Sequence, residues 1–401
     1  MAQSIQVYDT LTRRVLPLPL SKDARGRPEL KLYVCGVTPY DSGHLGHAFT
    51  FCAFDVLIRH AESRGIRVRY VQNVTDVDDP LFERARRDQV NWKDLAEREQ
   101  AALERDLAEL GWRPPDVMPR VSEEIPTIVA AAEALANEGF AYPAADGSLY
   151  FEAARYPGFG ELSRRSRRSM LAKLRDESLL GVKGPGAKRD WLDFPLWRPS
   201  AEDEPSWPSP YGFGRPGWHL ECSAMSMRHL GEQVDVHGGG RDLVFSHHES
   251  ERAQSESLTR CVPFARAWLH VGMVRYRGTK MSKSLGNLVD IRQCLERVSP
   301  AALRIYLASH HYRHDWSFSW RGLEAAGRFA DRIAGLRTGG RPKPSLLAQF
   351  EAALDSDLDT PGALRVLRQA VAQREGAAAR SMVEVLAGTA SLDAQISISS
   401  R

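Results

Sequence analysis

Cysteine is scarce in this chain, with five in 401 residues. So few thiols, and an odd number of them, exclude a disulfide-stapled secreted scaffold. They point to a reducing cytoplasm, with thiols free for metal binding or catalysis. No run of about eighteen apolar residues occurs, which excludes a helical membrane span. The opening MAQSIQVYDTLTRR lacks the apolar stretch of a signal peptide. A strong charge imbalance is also missing. The formal net charge of +3 is too small to mark a nucleic-acid binder by itself. There is no internal repeat, hence no repeat architecture. What is present is an ordinary globular composition, 43% hydrophobic and 26% charged, in a chain long enough for two or three domains.

KLYVCG (31–36) reads as a short buried strand, broken by DSG (41–43). In HAFTFCAFDVLIRHAESRG, Phe51, Phe54, Leu57 and Ile58 recur three or four apart, and Gly65 supplies a stop, so a helix is expected. RVRYVQNVT (67–75) reads as a second strand. Strand, loop, helix and strand make a βαβ unit and predict a parallel sheet. Long helical patterns follow near 81–110 and 121–138.

Residues 140–217 change character. They hold strand signals (SLYFEA), the basic cluster RRSRR (164–168) and the Pro/Trp-rich DEPSWPSPYGFGRPGW. An insertion between two halves of the sheet is expected there, with the basic cluster a solvated face. The sheet is expected to resume with QVDVHGGG and AWLHVGMV. From about Ser299 the chain reads as helical to its end, with a break at GGRPKP (339–344) and a frayed SISS tail. The expected divisions are 1–139, 140–217, 218–298 and 299–401.

Three groups of residues carry chemistry. His44 and His47 stand where strand and loop give way to a helix. A helix N-terminus presents free N–H groups that favour phosphate, and imidazoles beside it can donate to a forming oxyanion. The bland alternative is a pair of exposed loop histidines. GTKMSKSLGN (278–287) places Lys280 and Lys283 in a Gly-flanked loop suited to a polyanion such as triphosphate, or else a solvated turn. Cys35, Cys222, His247 and Glu251 offer two thiolates, one imidazole and one carboxylate, a credible tetrahedral Zn²⁺ set. His247 and Glu251 are four apart, on one face of a helix. By spacing alone His248 rivals His247. Cys52, Cys261 and Cys294 read as small buried apolar residues.

HLGH (44–47) and KMSKS (280–284) resemble the two signatures of class I aminoacyl-tRNA synthetases, in the right order around a Rossmann-type sheet. YVCG-T-YD, TD-DD, GRPGWH-ECSAM and GGG-DL-F-HHE are similar to cysteinyl-tRNA synthetases and to their relative, the mycothiol ligases. The likeness covers roughly residues 30–370. It implies an α/β fold: a Rossmann-type class I catalytic domain with an insertion, followed by a helical domain. It also implies one zinc ion binding the thiol of substrate cysteine, and ATP as second substrate, with Mg²⁺. Catalytic roles fall to His44, His47, Lys280 and Lys283. Gly36, Thr38, Thr75, Trp218 and Asp242 would surround the cysteine, Asp242 pairing its ammonium. Thr50, Gly240 and Val274 would line the adenosine.

Both families make the same cysteinyl adenylate and differ in the second nucleophile, a tRNA hydroxyl or the amine of glucosaminyl-inositol. CGVTPYD, TDVDDPL, EPSWPSP, HHYRHDW and DLDTPGAL resemble the mycothiol ligases. The stretch after the KMSKS loop reads as one helical domain, without the anticodon-reading domain usual in synthetases. Residues 341–401 hold seven Lys/Arg against seven Asp/Glu, with no basic stripe for a phosphate backbone. Two features point the other way. FSHHESERAQSE is synthetase-like, including the Glu at the fourth zinc position. The Glu-Arg-Gly-Gly-Asp-Pro box of mycothiol ligases is absent from LRDESLLGVKGPGAKRD (174–190). The expectation is a cytoplasmic, monomeric, AMP-forming cysteine:amine ligase acting on glucosaminyl-inositol, with no membrane and tRNA disfavoured. The alternatives are a cysteinyl-tRNA synthetase without the usual anticodon domain, a cysteine ligase for another amine, and a non-catalytic paralogue. The intact signatures argue against the last.

Overall fold

The structure is a computed structural model describing residues 4–41, 43–176, 187–281 and 286–388, with Lys280 described by its backbone. Ser282, Lys283, Ser284, most of the stretch aligned with the absent box, and the SISS tail lie outside the described residues.

Four parallel strands form the centre: β1 (Pro28–Val37), β2 (Arg67–Val74), β3 (Val234–Gly240) and β4 (Ala265–Val271). Their order is β4-β3-β1-β2, so β1 is paired on both sides. Helix α1 (Leu45–Ser63) makes the expected βαβ crossover, burying Phe51, Phe54, Leu57 and Ile58. It ends before Gly65, whose φ of +76° is the left-handed conformation glycine adopts without strain.

Alternation along β1 explains where the chemistry sits. Leu30, Leu32 and Val34 join α1 and the C-terminal helices in one core. Tyr33 and Cys35 face the other way, into a second core. A parallel sheet covered on both faces reads as a nearly continuous apolar run, as KLYVCG does. The second core is closed by α4 (Ile125–Asn137), α6 (Trp218–Leu230), α7 (His247–Thr259) and the insertion. The insertion is a four-stranded antiparallel sheet in chain order, Ala141–Pro143, Leu149–Phe151, Phe194–Arg198 and Arg215–Pro216. It also carries helix α5 (Arg167–Asp176).

The structure corrects three expectations. The pattern at 81–110 is two helices, α2 (Asp79–Asp88) and α3 (Trp92–Glu109). Gln89 turns left-handed at φ 54° and Asn91 caps the restart. The pattern at 121–138 opens as a 3₁₀ turn, Val121–Glu123, before α4. Beyond Ser299 the chain is not helical throughout. Between helices Pro300–Ala308 and Trp320–Ala334, the pair Trp316–Ser317 forms a strand alongside Val274–Tyr276, which in turn pairs with Thr279–Lys280. Trp316 lies flat on His310, ring centroids 3.7 Å apart, and the Trp316 and Phe318 N–H groups donate to the Met273 and Arg275 carbonyls at 3.1 and 2.7 Å, so the strand pairing satisfies backbone groups there without a helix. This small sheet ties the approach to the KMSKS loop to the helical region. Arg304, fully buried, bonds Asp55 of α1 and donates through Nε to the Leu386 carbonyl at 2.9 Å. No helix among the described residues is long and apolar enough to cross a membrane.

Candidate active site

Cys35 is near the C-terminal end of β1, on the face away from α1. Cys222 is in the second turn of α6, and His247 and Glu251 are one turn apart on α7. Ligand atoms of these four side chains lie within 4.8 Å of one another, and all four residues are buried. The Cys35 thiol donates to Glu251 Oε1 at 3.3 Å, and His247 Nε2 lies 3.1 Å from the same oxygen. Burial pushes both thiols up and His247 down to about 3. Burial also opposes charge on Glu251, but His237 and His247 outweigh it and hold the carboxyl below its ordinary value.

Buried polar atoms here lack hydrogen-bond partners, among them Glu251 Oε2, His237 Nδ1 and His248 Nε2. Glu251 Oε2 is 3.3 Å from His237 Nε2, close enough for an ion pair but poorly oriented for a hydrogen bond. Native interiors seldom leave such groups unsatisfied. Soft sulfur, imidazole and carboxylate donors converging around orphaned lone pairs fit a divalent metal.

The convergence is wider than the four residues expected. Cys35, His237, His248 and Glu251 form a second set with the same closeness. His248 therefore does rival His247. The spacing argument overlooked His237, although it stands in VDVHGGG directly opposite Tyr33 in the β3–β1 register. More imidazoles extend the cluster. His219 and His247 meet at 3.0 Å through their Nδ1 atoms, and His248 Nδ1 meets His270 Nε2 at 2.7 Å. Trp218 stacks on His247 at 4.3 Å between ring centroids.

Gly36 follows Cys35, and its N–H donates to Asn73 Oδ1 at 2.9 Å; Asn73 Nδ2 donates to Thr75 Oγ1 at 3.0 Å. Thr38 donates to Asp78 Oδ2 at 2.9 Å. Asp78 is pushed up to about 6, burial outweighing that bond. Asn73, unremarked in the sequence, and Asp78, noted there only as part of TDVDDPL, thus join Gly36, Thr38 and Thr75 at the ends of β1 and β2. Gly240 ends β3 and Asp242 follows it, on the wall of a cavity.

His44 caps α1 through Nδ1, which accepts from the Gly46 N–H at 3.1 Å, and its ring stacks on His47 at 3.7 Å. The chain after the KMSKS loop docks beside them. Leu45 N donates to the Val289 carbonyl at 2.8 Å, and Ile291 N to that of Gly43 at 3.1 Å. That pairing sets the exit of the loop against the HLGH helix terminus. Thr50 lies one turn further along α1. Its neighbour Phe49 packs edge-on against Trp316, the strand partner of Val274. Cys52 and Cys294 are buried as expected; Cys261 is instead half-buried, in the turn after α7.

Residues 22–328 match the family described as tRNA synthetases class I (C) catalytic domain, and the chain belongs to that family of ligases. Solved class I synthetases share the fold. Methionyl-tRNA synthetase of Mycobacterium tuberculosis, in complex with methionyl-adenylate, aligns at TM-score 0.64 and 15% identity over 89% of this chain and 88% of that one. A leucyl enzyme of Agrobacterium radiobacter K84, in a ternary complex with tRNA, aligns at TM-score 0.63 and 12% identity over 91% and 85%. Among named relatives, the chain is 43% identical over 394 residues to a cysteine–tRNA ligase of Anaeromyxobacter sp., covering 94% of this chain and 79% of that protein. It is 45% identical over 364 residues to the L-cysteine:1D-myo-inositol 2-amino-2-deoxy-alpha-D-glucopyranoside ligase of Acidothermus cellulolyticus, covering 90% and 88%. A protein of the same name from Thermobispora bispora is 42% identical over 393 residues, covering 96% and 95%.

Proposed function

We propose that the chain activates L-cysteine with ATP as cysteinyl-AMP and transfers the cysteinyl group to an amine, glucosaminyl-inositol. The observation that carries the reading is the buried convergence of Cys35, Cys222, His247 and Glu251. A zinc ion held there would supply a soft Lewis acid for a thiolate, which separates cysteine from serine where shape alone discriminates poorly.

The chain's own residues do the rest. Thr38, Thr75 and Trp218 border the cysteine beside Gly36, and Asp242 receives its ammonium. Thr50, Gly240 and Val274 line the adenosine. His44, His47 and the free N–H groups opening α1 hold the phosphates of ATP, which enters with Mg²⁺. Lys280 and Lys283 of the KMSKS motif supply ammonium groups to the same phosphates. The cysteine carboxylate attacks the α-phosphorus and pyrophosphate leaves, its charge met by these imidazoles and ammonium groups. The amine then attacks the adenylate carbonyl, and AMP leaves.

The amine reading draws support from the two relatives named for that acceptor and from the blocks TDVDDPL, EPSWPSP and DLDTPGAL. A second reading, transfer to tRNA, draws support from the cysteine–tRNA ligase relatives and from Glu251 in the metal cluster. The deciding experiment offers preformed cysteinyl adenylate on the enzyme to glucosaminyl-inositol and to tRNA. Amide formation with the first and no charging of the second is expected. Efficient tRNA charging would overturn the amine reading.

A further inference from the structure

Two carboxylates flank the end of β1. In the order β4-β3-β1-β2, the strand on one side, β3, leads to Asp242, and the strand on the other, β2, leads to Asp78. The C-terminal ends of parallel strands form the crevice in which such sheets bind ligands. Asp242 shares its cavity wall with five cations, Arg13, Arg165, Lys173, Arg241 and Arg313, and the reading above gives its charge to the cysteine's ammonium. That reading leaves Asp78 without a role.

Asp78 is half-buried and caps α2. Its Oδ1 accepts from the Asp79 N–H at 2.9 Å, and its Oδ2 accepts from the Thr38 hydroxyl at 2.9 Å. It forms no ion pair among the described residues. The groups that face it are Thr38 and Tyr40 after β1, Asp79 on its own helix, Glu221 on α6 and Arg215 in the insertion. Arg215 binds Asp79 and Glu204 instead, the latter at 2.7 Å. Glu221 is fully buried, and neither of its carboxyl oxygens has a hydrogen-bond partner. Three carboxyl groups thus gather around one guanidinium that is already bound. A carboxylate crowded in this way and partly withdrawn from water takes up a proton more readily than one in solution.

The geometry points to Asp78 as the general base of the transfer step, taking the proton from the acceptor amine as it attacks. The inference rests on the cysteine:amine reading above. Cys35, at the thiol end of the site, is buried; Thr38, three residues on, is half-buried; His44, at the phosphate end, caps α1. The carbonyl of the adenylate lies between thiol and phosphate, at the level of Thr38, and Thr38 holds Asp78 Oδ2 beside it. In the transfer the amine enters neutral, and its nitrogen forms a bond to the cysteinyl carbonyl carbon. The bond from that carbon to the AMP oxygen breaks, and AMP leaves with the electron pair. The nitrogen's proton passes to Asp78 Oδ2 and from there to solvent. Burial and the neighbouring Asp79, opposed by the Thr38 bond, raise this carboxyl to about 6. It is ionised at neutral pH yet more basic than an ordinary aspartate, which suits a general base.

The test follows a single turnover from preformed cysteinyl adenylate on the enzyme to glucosaminyl-inositol, as a function of pH. With acceptor below saturation, the wild-type rate should show two titrations, one near pH 6 from Asp78 and one from the amine itself. Asp78→Asn still caps α2, and its amide nitrogen can donate to the Thr38 hydroxyl, but it takes up no proton. Its transfer should be slower by about a hundredfold or more. The titration near pH 6 should vanish with it, which loss of a merely structural contact would not bring about. Cysteine-dependent ATP–pyrophosphate exchange, in which no amine is deprotonated, should fall far less. A melting curve verifies that the variant is folded, and the wild-type profile decides the matter even if it is not. A wild-type profile without the titration near pH 6 would overturn the base. So would transfer at the wild-type rate by the folded variant, or equal losses of exchange and transfer, which would make Asp78 a cysteine-binding group. Each of these leaves the amine reading standing. No amide formation by the wild type would sink that reading, and the base with it.

Discussion

Gly36→Ala probes the join between the metal cluster and the cysteine pocket. A Cβ at this position would stand 1.7 Å from the Asn73 carbonyl oxygen and 2.8 Å from its carbon. Both are backbone atoms of the neighbouring strand, so no rotamer change relieves the clash. Restoring ordinary contact requires a separation of about 1.7 Å between β1 and β2. Register between these strands already shifts between Val34 and Val37, so the pairing has few bonds left to lose gracefully there. Overpacking costs about 1–3 kcal/mol. Losing the Gly36–Asn73 hydrogen bond adds about 1 kcal/mol. Thermal unfolding should therefore move down by several degrees. The same displacement carries Asn73, and with it Thr75, away from Cys35. Misplacing a substrate-positioning group by about 1 Å costs on the order of a hundredfold in rate. Cysteine-dependent ATP–pyrophosphate exchange, read beside a melting curve, checks both effects. An alanine variant that melts within a degree of wild type and exchanges at its rate would refute the steric reasoning.

Elemental analysis of purified protein should find one zinc per chain, and Cys222→Ser should lose it. Metal-free wild type that still selects cysteine over serine would remove the metal from the account of specificity. His47→Ala and Lys283→Ala should each slow exchange by about a hundredfold or more, the usual scale for removing a transition-state donor. Zinc content should be unchanged in both. His310 gives a pH signature away from the site. Burial lowers it to about 4 in the folded chain, against about 6.5 when unfolded. Between these values the unfolded chain binds a proton that the folded chain refuses, so stability falls as pH drops from 6.5 towards 4. Urea unfolding should show a smaller loss between pH 7 and pH 5 in His310→Phe, which keeps a flat ring against Trp316, than in wild type.

Local pattern determined much of this protein. The apolar run KLYVCG, the 3.6-residue period after His47 and the second strand at 67–75 specify a βαβ unit without reference to distant residues, because each follows from backbone geometry. The four-residue spacing of His247 and Glu251 likewise follows from helix pitch. HLGH and KMSKS were legible as linear strings, and with them the family.

What spacing could not supply was which distant groups meet. Cys35 and Glu251 touch across 216 residues of sequence, and only the packing of α7 under β1 and β3 brings them together. The same packing admits His237 and makes His248 a rival ligand. No periodicity marks His237, since its strand is buried whatever its chemistry. The strand at Trp316 interrupts a helical region because a ring stack and a partner strand outweigh local propensity. The split at Gln89 depends on one left-handed residue that the helical pattern runs straight through. The cationic cavity beside Asp242 is wholly tertiary. Its cations come from four separate segments, of which only RRSRR stands out as basic in the sequence, and the fold alone brings them to one wall.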